Sequence, residues 1–192
     1  WSWSALFSDL DLDGWKDLFV TNGYLRDYNN QDFLKYMDNY VRTAGGQLKR
    51  EDLLNLVKSM SSSNLKNYTF RNRGDLTFEN VSTSWGLAEN GNSNGAAYAD
   101  LDNDGDLDYL VNNINDSAFV FKNNQIEFDK NKESHFLRIR TVGDKNNING
   151  LGAVVQLEFE NGEKMIHENN PFRGYLSSVE PFIHFGLGNK KV

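Results

Sequence analysis

Cysteine is absent from the sequence, which excludes disulfide bridges, thiolate catalysis and cysteine-held zinc. Histidine is scarce: His135, His167 and His184 are the three, and they lack any close metal-ligand spacing. No apolar run approaches the ~20 residues of a membrane-crossing helix, and nothing near the start reads as a signal peptide. Positive charge is also in deficit. Twenty Lys and Arg face 27 Asp and Glu, a formal net charge of −7, so the basic footprint of a nucleic-acid binder is missing. Catalytic signatures are thin as well. Gly91-Asn92-Ser93-Asn94-Gly95 matches G-x-S-x-G, but a polar loop precedes it and a strand-like run follows, so it reads as a turn and not as a nucleophile elbow. Gly150-x-Gly152 and Gly186-x-Gly188 lack the strand-to-helix setting of a dinucleotide fingerprint. His184, between Ile183 and Phe185 in an alternating run, reads as an exposed strand residue.

What is present begins with a core. Hydrophobic residues make up 39% of the 192 and aromatics 13%, enough for one or two domains despite a mean hydropathy of −0.63. The acidic residues are concentrated in one pattern that occurs twice. Gly95 to Val111 reads GAAYADLDNDGDLDYLV, with Asp100, Asp102 and Asp104 at alternate positions, then Gly105, Asp106 and Asp108. Ser8 to Val20 reads SDLDLDGWKDLFV, with Asp9, Asp11, Asp13, Gly14, Trp15 and Asp17. Carboxylates at positions 1, 3 and 5, a turning Gly at 6, a carbonyl at 7 and an oxygen at 9 wrap a hard cation such as calcium. The predicted ligands are therefore the side chains of Asp9, Asp11, Asp13 and Asp17 with the Trp15 carbonyl, and those of Asp100, Asp102, Asp104 and Asp108 with the Asp106 carbonyl. Two calcium ions would bring the formal charge to about −3. A helical calcium loop is excluded, because position 12 is Val20 or Val111 instead of Glu, and both lie in strand-like runs.

Around the loops the pattern is mostly β. Lys16–Asn22 reads as the strand leaving the first loop, and 67–72 and 77–82 as a hairpin across Arg73-Gly74-Asp75-Leu76. The Arg-Gly-Asp there is ordinary turn chemistry. Ser117–Lys122 stands in the second repeat where Asn67–Asn72 stands in the first. Four strands per repeat make the blade of a β-propeller, and the chain supplies at most two blades. Residues 31–60 differ: Phe33, Leu34, Met37, Tyr40 and Val41 share one helical face, as do Leu53, Leu56, Val57 and Met60, with Gly45-Gly46 between. This predicts a helical hairpin inserted in the first repeat, capping an exposed surface. From about residue 133 a small antiparallel β domain is predicted, with alternation over 136–142 and 153–160 and a tight turn at Asn161-Gly162. The expected fold is all-β with a helical insertion, divided at 1–130 and 133–192. Three N-glycosylation triplets start at Asn67, Asn80 and Asn115.

The repeats resemble FG-GAP/VCBS propeller repeats, and FLRIRTVG, NGLGAVVQLEF, GYLSS and IHFGLG resemble the ASPIC/UnbV domain. Together they look like the cartilage-acidic-protein-like family. That resemblance implies a calcium-dependent propeller on a secreted, periplasmic or surface protein, of which this chain is a piece. Two functions follow as expectations: a non-catalytic recognition or scaffold module for a protein or glycan, or part of a polysaccharide-acting enzyme with its site on the propeller face. With the loop carboxylates committed to metal, no other titratable cluster is evident, which favours binding. Trp15 and Trp85 are candidate contacts.

Overall fold

The computed structural model describes residues 1–130 and 134–190. In chain order the elements are β1 (Ser2–Ser8), β2 (Asp17–Asn22), α1 (Gln31–Thr43), α2 (Arg50–Ser59), β3 (Leu65–Lys66), β4 (Tyr68–Asn72), β5 (Phe78–Asn80), β6 (Asn90–Gly91) and β7 (Ser93–Ala99). They continue with β8 (Asp108–Asn113), β9 (Phe119–Phe121), α3 (Gln125–Phe128), β10 (His135–Ile139), β11 (Val154–Glu158), β12 (Lys164–Glu168) and β13 (Ile183–Gly188). The fold is all-β with a helical insertion, and its two largest sheets form a partial, propeller-like array.

Sheet one has the antiparallel order β1-β2-β4-β5, and sheet two the order β7-β8-β9. Each acidic loop joins the first two strands of its sheet. Among the described residues the second sheet has no fourth strand, which the repeat pattern predicts: after β9 the chain turns into the short helix α3. Asn123 stands at the turn. Its Oδ1 accepts from Gln125 N, and its Nδ2 donates to the carbonyls of Leu10 and Leu107. The chain is thereby drawn toward the acidic loops.

The sheets pack face to face. Leu6 and Phe19 of sheet one meet Ala96, Tyr109 and Val111 of sheet two, with Leu10, Leu87 and Leu107 closing the core. Phe19 and Tyr109 have ring centroids 4.5 Å apart. The Tyr109 hydroxyl, fully buried, shares a 2.6 Å hydrogen bond with Ser8 Oγ, so its polar end is satisfied. Trp85 packs against this core, whereas the Trp15 side chain is half exposed. Asn67 is buried, its Nδ2 donating to Ser93 Oγ, so the first glycosylation triplet offers no accessible acceptor in the folded chain.

Both helices of the insert form as expected. Asn30 caps α1 by accepting from Phe33 N, and Gly45 and Gly46 take positive φ just past its end. Phe33 and Leu56 are the buried residues of the pair, while Leu53 and Val57 stay about half exposed. The hairpin is tied at its base, where Arg26 donates to the carbonyls of Lys58 and Met60.

Beyond residue 134, β10 pairs with β13 and β11 with β12, all antiparallel. Residue 133, the predicted start of this unit, lies outside the described residues. The alternation holds: Leu157 and Phe159 are buried with Ile183, Phe185 and Leu187, and Leu137, Ile139 and Val155 pack against them.

This second unit sits across both acidic loops. At the first, Gly188 N donates to Leu12 O at 2.7 Å, and Gly186 lies on the Asp9 carboxylate. At the second, the Phe136 ring lies over Gly105. His184 is not the exposed strand residue its alternation predicts. It is buried, stacked on Phe136, with Nε2 2.8 Å from Gly105 O. A neighbouring unit covers the face of β13 that would otherwise meet water.

A Cβ on Gly186 would stand 2.7 Å from both Asp9 Cγ and Leu12 Cα. Gly186→Ala is therefore expected to cost about 1–3 kcal/mol by overpacking. Thermal unfolding should show a melting temperature lower by roughly 2–12 °C for a chain of this size, and an unchanged melt would contradict the close docking.

Candidate metal centres

The two acidic loops share the hydrogen bonds that close them, although Asp9 also accepts from Asp13 N and Gly14 N. Asp17, at the head of β2, accepts from Leu10 N at 3.0 Å with Oδ2 and from Asn72 N at 2.9 Å with Oδ1. Asp108, at the head of β8, accepts from Leu101 N at 2.9 Å and Asn123 N at 2.8 Å in the same way. The backbones match too: Leu12 and Asn103 have φ of 59° and 62°, Gly14 and Gly105 of 96° and 105°. Asn tolerates the left-handed region, and Gly adopts it freely. Buried Leu12 holds it against its preference. The same repeat continues away from the loops, where Ser2 Oγ donates to Asn22 Oδ1 and Ser93 Oγ to Asn113 Oδ1. That places Ser93 in a structural hydrogen bond within a strand, neither a nucleophile nor a turn.

The loops gather carboxylates. One oxygen from each of Asp9, Asp11 and Asp17 lies within 4.8 Å of the others, and the same holds for Asp100, Asp102 and Asp104. Ligands sharing a calcium ion at roughly 2.3–2.6 Å stand at most roughly 5 Å apart, so both trios fit one ion. Asp13 and Asp108 stand outside these trios. Asp13 accepts from Trp15 N and from Arg71 Nη2, and both oxygens of Asp108 are occupied by backbone N–H groups. Trp15 and Asp106, the predicted carbonyl donors, occupy equivalent places, although the Trp15 side chain is half exposed and that of Asp106 buried.

Several buried carboxylate oxygens in the loops have no hydrogen-bond partner: Asp11 Oδ1, Asp100 Oδ1, Asp104 Oδ2 and Asp106 Oδ1. A buried unpaired oxygen is costly unless a cation or water meets it. Burial first, then neighbouring Asp13, pushes the Asp9 carboxyl up to about 8. Burial likewise raises Asp17 to about 7 and Asp106 to about 6. In the absence of a cation these groups resist ionisation, and the loops therefore favour positive charge.

Three basic residues that the sequence reading passed over already supply part of it. Arg71 Nε lies 2.6 Å from Asp11 Oδ2, and its Nη2 lies 3.2 Å from Asp13. Lys122 Nζ lies 2.8 Å from Asp102 Oδ2 and also pairs with Glu127. Arg71 and Lys122 hold equivalent positions, each preceding the Asn whose backbone N–H meets the position-nine aspartate. The shared Phe-basic-Asn triplet, Phe70-Arg71-Asn72 and Phe121-Lys122-Asn123, was the available signal. Among the described residues Arg138 has no counterpart at the first loop. From β10 it reaches Asp100 Oδ2 at 3.2 Å, pairs with Glu180, and stacks over the Phe182 ring.

Where the two units meet, His167 is held unprotonated, its pKa lowered to about 3 by burial and by Lys16 and Arg173. It stacks on Phe185 at 4.2 Å. Its ring serves the packing of the seam.

Residues 49–111 match the model for an FG-GAP-like repeat, and residues 143–192 match that for ASPIC and UnbV. The first match takes in the second acidic loop and part of the helical insert. The first loop lies outside it, and its kinship to the second rests on the repeated bonds described above. No curated protein matches the chain. Among the described residues, no helix is long and apolar enough to cross a membrane.

Two outcomes are expected. In a chelating buffer, folded Asp9 and Asp17 keep protons that the unfolded chain loses near its ordinary value of 3.8. The folded state then binds more protons, so stability falls as pH rises from about 4 to about 8. Melts in chelator should drop between pH 5 and pH 8, and a rise would refute this assignment. Separately, Asp108→Ala strands the Leu101 and Asn123 N–H groups, at about 1–3 kcal/mol for each. Denaturant unfolding should register that loss even in chelator.

Proposed function

We propose that the chain is a calcium-stabilised recognition module working outside the cell, with one ion in each acidic loop and a protein or glycan as its partner. Residues 1–130 form its repeat unit, with the helical insert at 31–60, and residues 133–192 its second β unit. The observation that carries this reading is the pair of congruent loops, each with a carboxylate trio within 4.8 Å and with buried, unpartnered oxygens. Those oxygens accommodate a hard divalent ion that prefers flexible oxygen coordination, which is calcium sooner than magnesium. Asp9, Asp11 and Asp17 would hold the first ion, with Asp13 released from Arg71 and the Trp15 carbonyl completing the set. Asp100, Asp102 and Asp104 would hold the second, joined by the Asp106 carbonyl and by Asp108 directly or through water. All donors in each set come from one tight loop, and the second β unit lies over both. That arrangement suits a structural ion and leaves little room for substrate. The FG-GAP-like and ASPIC/UnbV matches favour an extracellular, adhesion-type setting, where calcium is millimolar.

Isothermal calorimetry on the chelator-stripped chain is expected to give two calcium ions, with dissociation constants on the order of 10⁻⁴–10⁻³ M, as in extracellular modules. Asp11→Ala and Asp102→Ala should each reduce the count to one, and the double variant to none. At calcium 100 times its dissociation constant, each site should add about 2.7 kcal/mol to stability. Absence of uptake in the folded chain would overturn the calcium reading. Glycan and protein arrays probed with the loaded chain test recognition, and polysaccharide turnover that survives the double variant would replace it with the enzyme reading.

A further inference from the structure

Each acidic loop receives a basic side chain from the third strand of its own sheet or the residue after it, but the two bases are held differently. Arg71 of β4 lies 2.6 Å from Asp11 Oδ2 and 3.2 Å from Asp13 Oδ2. One guanidinium thus spans two of the side chains predicted to hold the first ion, and among the described residues its ion pairs are with these two alone. Lys122, which follows β9, lies 2.8 Å from Asp102 Oδ2 and 3.8 Å from Asp104 Oδ2, yet it also lies 2.7 Å from Glu127 Oε1 of α3. Lys122 can leave the loop and keep an acid, and so can Arg138, which keeps Glu180. Arg71 has no such alternative.

The geometry of the carboxylates follows this difference. Asp104, at position five of the second loop, belongs to its carboxylate trio, whereas Asp13, at position five of the first, stands outside its trio and on Arg71. The side chain of Asp11 is 13% exposed and that of Asp102 39%, so water screens the Arg71 pair less. The sequences of the loops run the same way: where the first has Trp15 and Lys16, the second has Asp106 and Leu107. The first loop is therefore poorer in negative charge and richer in positive. Calcium affinity is tuned by the charge count of the ligands, and a guanidinium on the oxygens that a divalent ion needs repels that ion. Arginine is also charged at every working pH, so no proton release removes it from the loop.

We propose that Arg71 competes with calcium for Asp11 and Asp13, so that the first loop fills only at higher calcium than the second. The inference rests on the calcium reading above and adds to it an order of filling and the residue that sets it. At low calcium Arg71 supplies the counter-charge of the first loop. At high calcium it gives up both carboxylates and turns to solvent, which already reaches its side chain. Arg71 thus sets a threshold without ligating the ion.

The experiment is calcium calorimetry on chains with one loop disabled, Asp102→Ala reporting the first loop and Asp11→Ala the second. The second loop is expected to bind on the order of tenfold more tightly than the first. Adding Arg71→Gln to Asp102→Ala should tighten the first loop about three- to tenfold, the equivalent of releasing two partly exposed ion pairs. Arg71→Lys, which keeps the charge but not the fork, should fall between. Melts of the otherwise unaltered chain separate competition from a merely structural role. In chelator Arg71→Gln should melt below wild type, because the loop carboxylates lose their counter-charge, and in excess calcium the deficit should vanish or reverse. A deficit of equal size in both buffers, a first loop no tighter in Arg71→Gln, or a second loop no tighter than the first overturns the proposal. Calcium uptake with any of those results overturns this proposal alone, whereas no uptake by any of the chains overturns the calcium reading with it.

Discussion

The pair of backbone hydrogen bonds accepted by Asp17, and repeated by Asp108, is the constraint on which the rest of the molecule depends. Each carboxylate closes its loop by holding the N–H of Leu10 or Leu101, and ties the third strand by holding that of Asn72 or Asn123. One side chain thus joins three segments distant in sequence. Charge-assisted bonds of this kind are stronger than neutral ones. Burial raises the cost of losing them. With the loop closed, the remaining aspartates have nowhere to spread. The crowding of the two trios follows from that enforced proximity, and burial together with that crowding raises the proton affinity of Asp9.

The neighbours of the loops respond to the same crowding. Arg71 and Lys122 come from equivalent strand ends, which makes partial neutralisation part of the repeat itself. Arg138 and His184 come from the second β unit and belong to the seam. Glycine at 186 and at 105 allows backbone and ring to approach where any side chain would collide. The loops therefore serve as a floor for the second unit, and whatever fixes their conformation fixes the docking of that unit.

Much of the fold was legible in the chain. The two D-x-D-x-D-G runs located both loops, period-two alternation located most strands, and the 3.6-residue period over 31–60 located both helices. The missing fourth strand of sheet two was not legible, because Phe70-Arg71-Asn72 and Phe121-Lys122-Asn123 read alike and their Asn side chains make equivalent local bonds, yet only the first is followed by a strand of its own sheet. His184 was misread for a related reason: alternation tells which residues share a face, but not whether another unit covers that face. Leu53 and Val57 show the converse, apolar residues at helical spacing that no partner buries.

Local spacing by itself determined the chemistry of the loops, since ligand type, order and turning glycine all lie within nine residues. It also determined that the repeats are β, since side-chain period depends on neighbours along the chain alone. Tertiary structure decided which aspartates come within 4.8 Å of one another, which are taken by backbone N–H groups, and which basic side chains reach them. These properties depend on which distant segments meet, and chain-local patterns carry no record of that.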